Sequence, residues 1–143
     1  MTLGDTDTTR QRRQLAETAI AHATRGDWEA AVDANRQLLE TGPDTDAYNR
    51  LGKALAELGR NDEAIELYEA VIGDRFDSSG PYDRLIAIYS GRAQHADVMR
   101  VCDAAVVQVH TYQDKKDWYR TMRAQAEKAK ASVPAAAPRP KKE

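Results

Sequence analysis

The chain has 143 residues, of which 41% are hydrophobic and 31% charged, with a net charge of −2. That is one domain's worth of globular composition, and the near-balanced charge excludes a whole-molecule field that would steer nucleic acid or a membrane surface. One cysteine, Cys102, excludes an intramolecular disulfide framework and fits a reducing compartment, so the cytoplasm is the expected location.

The first residues, rich in Asp and Thr, carry no apolar run of signal-peptide length, and residues 1–8 are expected to be disordered until Asp7 or Thr8 caps a helix. From about Thr9 to Thr24, Leu15, Ala16, Ala19, Ile20 and Ala23 trace a buried helical stripe. Gly26 and Asp27 break that helix and cap the next, which carries Ala30, Ala31, Ala34, Leu38 and Leu39 and ends at Gly42 and Pro43. A second pair follows, with Tyr48, Leu51, Gly52 and Leu55 on one helix and Ala64, Ile65, Tyr68 and Val71 on the other, turning at Gly59 and Asn61.

A third pair opens after Ser78 or Ser79, with Pro81 in its first turn, where the amide has no intrahelical partner to lose. Tyr82, Leu85, Ile86, Ile88 and Tyr89 form its first apolar face, and Val98, Met99, Cys102, Ala105 and Val106 its second. A seventh helix, from about Asp114 to Ala131, shows Trp118, Met122, Gln125, Ala126 and Ala129 along one side, with Trp118 as the anchor and Tyr119 left outside. Its polar side holds Lys116, Arg120, Arg123, Glu127 and Lys130, as a terminal cap requires. Residues 132–143, with three prolines among small residues, are expected to be disordered. No segment approaches the roughly 18 apolar residues of a membrane span.

The three pairs superimpose at an offset close to 34 residues: Gly26 falls over Gly59, Ala31 over Ala64, Asn35 over Tyr68, and Tyr48 reaches Tyr82. The second unit, with Tyr48, Leu51, Gly52, Leu55, Gly59, Ala64 and Tyr68, resembles the tetratricopeptide repeat. The flanking units are degenerate: Ala19 and Ile86 replace the small Gly, Val98 replaces the Ala, and Cys102 replaces the aromatic. The resemblance covers about residues 12 to 110. It implies an all-α, right-handed superhelical stack of about three helix-turn-helix pairs plus a C-terminal capping helix, a repeat domain spanning 9–131. It further implies that the first helix of each pair lines a concave groove accepting a peptide or helix of a partner.

Carried across unit by unit, the groove positions include Arg13, Glu17, Ile20 and Thr24, then Asp46, Asn49, Arg50, Lys53 and Glu57, then Asp83, Arg84, Ala87 and Ser90. Arg13, Asn49, Arg50, Lys53, Asp83 and Arg84 are the candidate partner-binding residues. Asn can pair with a peptide backbone, while Arg and Lys hold carboxylates in charge-assisted hydrogen bonds, so an acidic segment is the expected ligand. The family's carboxylate clamp is absent, because its places hold Ala16, Ile20, Arg50, Gly80 and Arg84, of which Arg84 alone agrees.

No catalytic, metal or cofactor site is expected. Cys102 lies on a packed face, and His22, His95 and His110 are scattered over three units without ligand spacing. The reading is therefore a non-enzymatic adaptor or co-chaperone-like scaffold. The alternative is a nucleic-acid- or ribosome-associated protein, since Tyr112, Trp118 and Tyr119 lie among Lys115, Lys116, Arg120 and Arg123, with Arg139, Lys141 and Lys142 beyond. Self-association through an incompletely polar cap is a third arrangement.

Overall fold

The computed structural model describes residues 3–110 and 113–132, with side chains from Asp7 onward. Tyr112 and the tail from 133 lie outside them. Seven helices, and no strand among the described residues, fall into two compact units. The first, Met1–Phe76, contains α1 (Leu3–Thr24), α2 (Trp28–Glu40), α3 (Thr45–Glu57) and α4 (Asn61–Gly73). The second, Asp77–Glu143, contains α5 (Gly80–Gly91), α6 (His95–Gln108) and α7 (Gln113–Ser132). Within each unit every helix packs against the next in the chain.

The repeat is visible in the backbone of its turns. Asp27 N–H donates to His22 O at 2.9 Å, Arg60 N–H to Leu55 O at 2.8 Å, and Gln94 N–H to Tyr89 O at 2.9 Å. Each is the 6→1 bond that closes a helix through a left-handed residue. Gly26 (φ 74°) and Gly59 (φ 78°) fill that position in the first two turns at no steric cost, but Ala93 (φ 56°) fills it in the third. The helix starts differ as well. Asp27 and Asp44 accept from Ala30 N–H at 3.3 Å and Ala47 N–H at 3.0 Å, whereas α4, α5 and α6 start without a side-chain cap.

Packing inside each pair follows one size rule. At Gly52 an added Cβ would meet Tyr68 Cε1 at 2.9 Å, so the buried ring lies directly on the glycine backbone. The corresponding positions, separated by the same sixteen residues, are Ala19 with Asn35 and Ile86 with Cys102, all buried. As the first member grows from Gly to Ala to Ile, the second shrinks from Tyr to Asn to Cys. The departures from the repeat pattern thus trade size in opposite directions at the two corresponding positions, in the sense that close packing favours.

Two expectations need correction. The first helix starts at Leu3 rather than Thr9, running through much of the segment expected to be disordered; no proline stops it, and Asp7 in its second turn suits the positive end of the helix dipole. In α7 the buried anchors are Tyr119 (0% exposed) and Ala126, while Trp118 remains 38% exposed. Tyr119 takes the inward place expected of Trp118 because it carries a polar tip with a partner waiting: its hydroxyl donates to Asp83 Oδ1 at 2.8 Å.

Candidate functional site

In the first unit α1 and α3 border a cavity of about 270 Å³, lined by Ile20, Ala23 and Thr24 of α1, Trp28 at the start of α2, and Arg50 and Lys53 of α3. The helical period puts Arg50 and Lys53 on neighbouring turns of one face, and Ile20, Ala23 and Thr24 likewise on α1. Ile20 is 50% exposed and leaves apolar surface at the rim. Lys53 Nζ stands 5.9 Å from the centroid of the Trp28 ring, within cation–π range.

Arg50 is held from behind. Its Nε–H donates to Asn35 Oδ1 at 3.2 Å, and Asn35 Nδ2 donates to Ala31 O at 2.9 Å. Asn35 is 1% exposed and is the sole buried residue of polar type among the described residues. Both ends of its amide are therefore engaged, as a buried polar group requires. Neither Arg50 nor Lys53 has a carboxylate within 4 Å among the described residues. The half-buried Arg12 contrasts with them: it lies 3.6 Å from Asp44 and donates to Thr41 Oγ1 at 2.7 Å and Pro43 O at 3.1 Å, bracing α1 against the loop before α3.

Of the other residues expected in the groove, Arg13 is exposed on α1 and shares the face of Ile20 two turns away. Asn49 is half-buried on α3 and does not line the cavity. Asp83 and Arg84 lie on α5 in the second unit. Asp83 is committed internally, accepting from Lys115 Nζ at 2.7 Å as well as from Tyr119. Sequence reasoning passed over Asn35, Ala23 and Trp28 as site residues. The signal for Asn35 was present, because a polar side chain aligned with the buried Tyr68 needs an internal partner.

The second unit favours the protonated form of its buried phenols and thiol. Burial, then the hydrogen bond to Asp83, pushes the Tyr119 phenol far above its ordinary value, and burial, then Asp77, raises Tyr82. Burial, then neighbouring Asp103, pushes the Cys102 thiol up to about 11, so little nucleophilic thiolate forms near neutral pH. Among the described residues no cluster of His, Cys, Asp and Glu could hold a metal ion, and no helix is long and apolar enough to cross a membrane.

A search of curated proteins returned no match. Residues 17–81 match the family model described as tetratricopeptide repeat, a span that includes Gly26, Asn35, Arg50, Gly52 and Tyr68. Such repeats generally mediate protein–protein interaction. With this match and the recurrent 6→1 turns together, residues 17–81 form a segment of the tetratricopeptide-repeat type.

Proposed function

We propose that this protein is a non-enzymatic adaptor that binds a peptide or helix of a partner protein along the face formed by α1 and α3, with Arg50 and Lys53 as the principal contacts and Arg13 and Asn49 flanking them. The observation that carries this reading is the cavity between α1 and α3, where exposed Ile20 meets two cations without a carboxylate of their own. Concave sites combining apolar walls with a few placed polar groups are the usual form of binding sites. Asp83 and Arg84, on α5, are proposed as contacts of the second unit taken by itself, where Asp83 could serve a ligand only by sharing its bonds to Lys115 and Tyr119.

The rival reading, nucleic acid on the cap, is weakened by the pairing of three of that helix's six cations. Lys115 is engaged by Asp83, Arg120 by Asp117 at 3.2 Å, and Arg123 by Asp103 at 2.7 Å and Glu127 at 3.1 Å. The test compares capture from the native lysate by the intact chain and by its Arg50→Glu, Lys53→Glu variant, with nuclease treatment in parallel. Proteins retained by the intact chain alone, insensitive to nuclease, are expected. Equal retention by both forms, or loss on nuclease treatment, contradicts the assignment.

A further inference from the structure

Resting on that reading, we infer that the cavity between α1 and α3 is a subsite for an acidic side chain flanked by an aliphatic one, and that buried Asn35 is the positioning residue that sets its specificity. The guanidinium of an arginine carries five N–H donors in a rigid fork. Asn35 occupies the Nε–H of Arg50, which removes the side-on mode of carboxylate binding and fixes the plane of the group. The two terminal nitrogens keep the end-on edge, the geometry that takes both oxygens of one carboxylate. Lys53 adds a second charge on the next turn, and it is drawn toward the Trp28 ring rather than to a carboxylate. Ile20, Ala23 and Trp28 supply the apolar surface beside them.

Charge complementarity selects the occupant. The described part of the chain provides no carboxylate to Arg50 or Lys53, although acidic residues outnumber Lys and Arg by 23 to 21 over the whole sequence and Arg12, Arg36 and Arg60 nearby are all paired. Asn35 has a different role from its counterpart Tyr68, which fills space against Gly52. Because Ala19 already projects a Cβ where Gly52 has none, the smaller Asn fits, and its carbonyl oxygen gains Arg50. The site includes two places of the family's carboxylate clamp, Ile20 and Arg50, but neither holds the clamp's own residue, so a carboxylate is held here through the Asn35-fixed guanidinium instead.

The test uses the full-length ¹⁵N-labelled chain titrated with the blocked tripeptide acetyl-Leu-Glu-Leu-amide, and separately with its Gln counterpart. The Arg50 Nε–H and Trp28 indole resonances report binding. The expected result is that the Glu peptide moves both signals and that the Gln peptide binds about tenfold more weakly, equivalent to about 1.4 kcal/mol. Asn35→Leu, which substitutes an apolar side chain of similar size, and Arg50→Lys, which keeps the charge but loses the fork, should each weaken the Glu peptide about tenfold while circular dichroism stays unchanged. Full binding by both variants, with loss in Arg50→Glu, overturns the role of Asn35 and leaves the docking face standing. Equal binding of the Glu and Gln peptides overturns the acidic subsite and leaves the docking face standing, whereas unaltered binding by Arg50→Glu overturns the subsite and the proposed docking face together. Inorganic phosphate shifting the same two signals at equal concentration overturns the requirement for the aliphatic flank.

Discussion

Side chains adjacent in sequence have opposite duties at Trp118 and Tyr119. Trp118 lies across Lys115, whose Nζ is 4.3 Å from its ring centroid, and stays partly in solvent; Tyr119 is fully buried and bonded to Asp83. Removing Tyr119 leaves a cavity and an unsatisfied carboxylate oxygen, so Tyr119→Ala should cost about 3–5 kcal/mol, and Trp118→Ala about 1 kcal/mol. Urea unfolding of both variants checks this, and equal costs would restore Trp118 as the anchor. Composition and periodicity located the helix but not its inward residue, because aromatic size favours Trp while the choice depends on a hydrogen-bond partner more than thirty residues away. Asn35 illustrates the same point in reverse. Its alignment with Tyr68 was legible, yet the reason for an amide there, Arg50 on another helix, is tertiary.

At the scale of helices and turns, the repeat was the most legible property of the sequence, since local chemistry enforces it. Gly26 and Gly59 mark left-handed exits that backbone sterics require, and the third exit was harder to place because Ala93 occupies it. A non-glycine residue there is strained, so Ala93→Gly should raise stability by about 0.5–1 kcal/mol, read as a higher thermal midpoint. A lower midpoint would mean that the turn is not strained by its Cβ. The size rule at the paired positions gives a second test. Gly52→Ile alone drives a side chain into the Tyr68 ring and should cost about 3 kcal/mol or more, while adding Tyr68→Cys, which copies the third unit, should recover at least about 1 kcal/mol. Strict additivity in that double-mutant cycle would separate the two positions energetically.

For the whole molecule, the buried thiol and phenols of the second unit set a pH limit. Cys102 titrates near 9 when unfolded and near 11 when folded, and the phenols of Tyr82 and Tyr119 are also raised from about 10. Folding therefore favours the protonated forms. The contribution of Cys102 is fully present below pH 9 and is lost as pH rises through about 11, while that of the phenols is fully present below pH 10 and declines above it. The denaturation midpoint followed by near-ultraviolet circular dichroism should fall between pH 9 and 11, and a flat midpoint over that window would mean that these groups are hydrated in the folded chain.

The central claim concerns the face between α1 and α3, and the most direct measurement is photo-crosslinking from it. A photoreactive amino acid replaces Thr24, which lines the cavity, or Val107, which is 75% exposed on α6. Each full-length protein is irradiated in native lysate, with Arg50→Glu added to the Thr24 form as a control. The expected result is a discrete protein adduct at Thr24 that disappears with Arg50→Glu and is absent at Val107. Adducts at Val107 alone, or a Thr24 adduct indifferent to the charge at Arg50, would contradict the assignment.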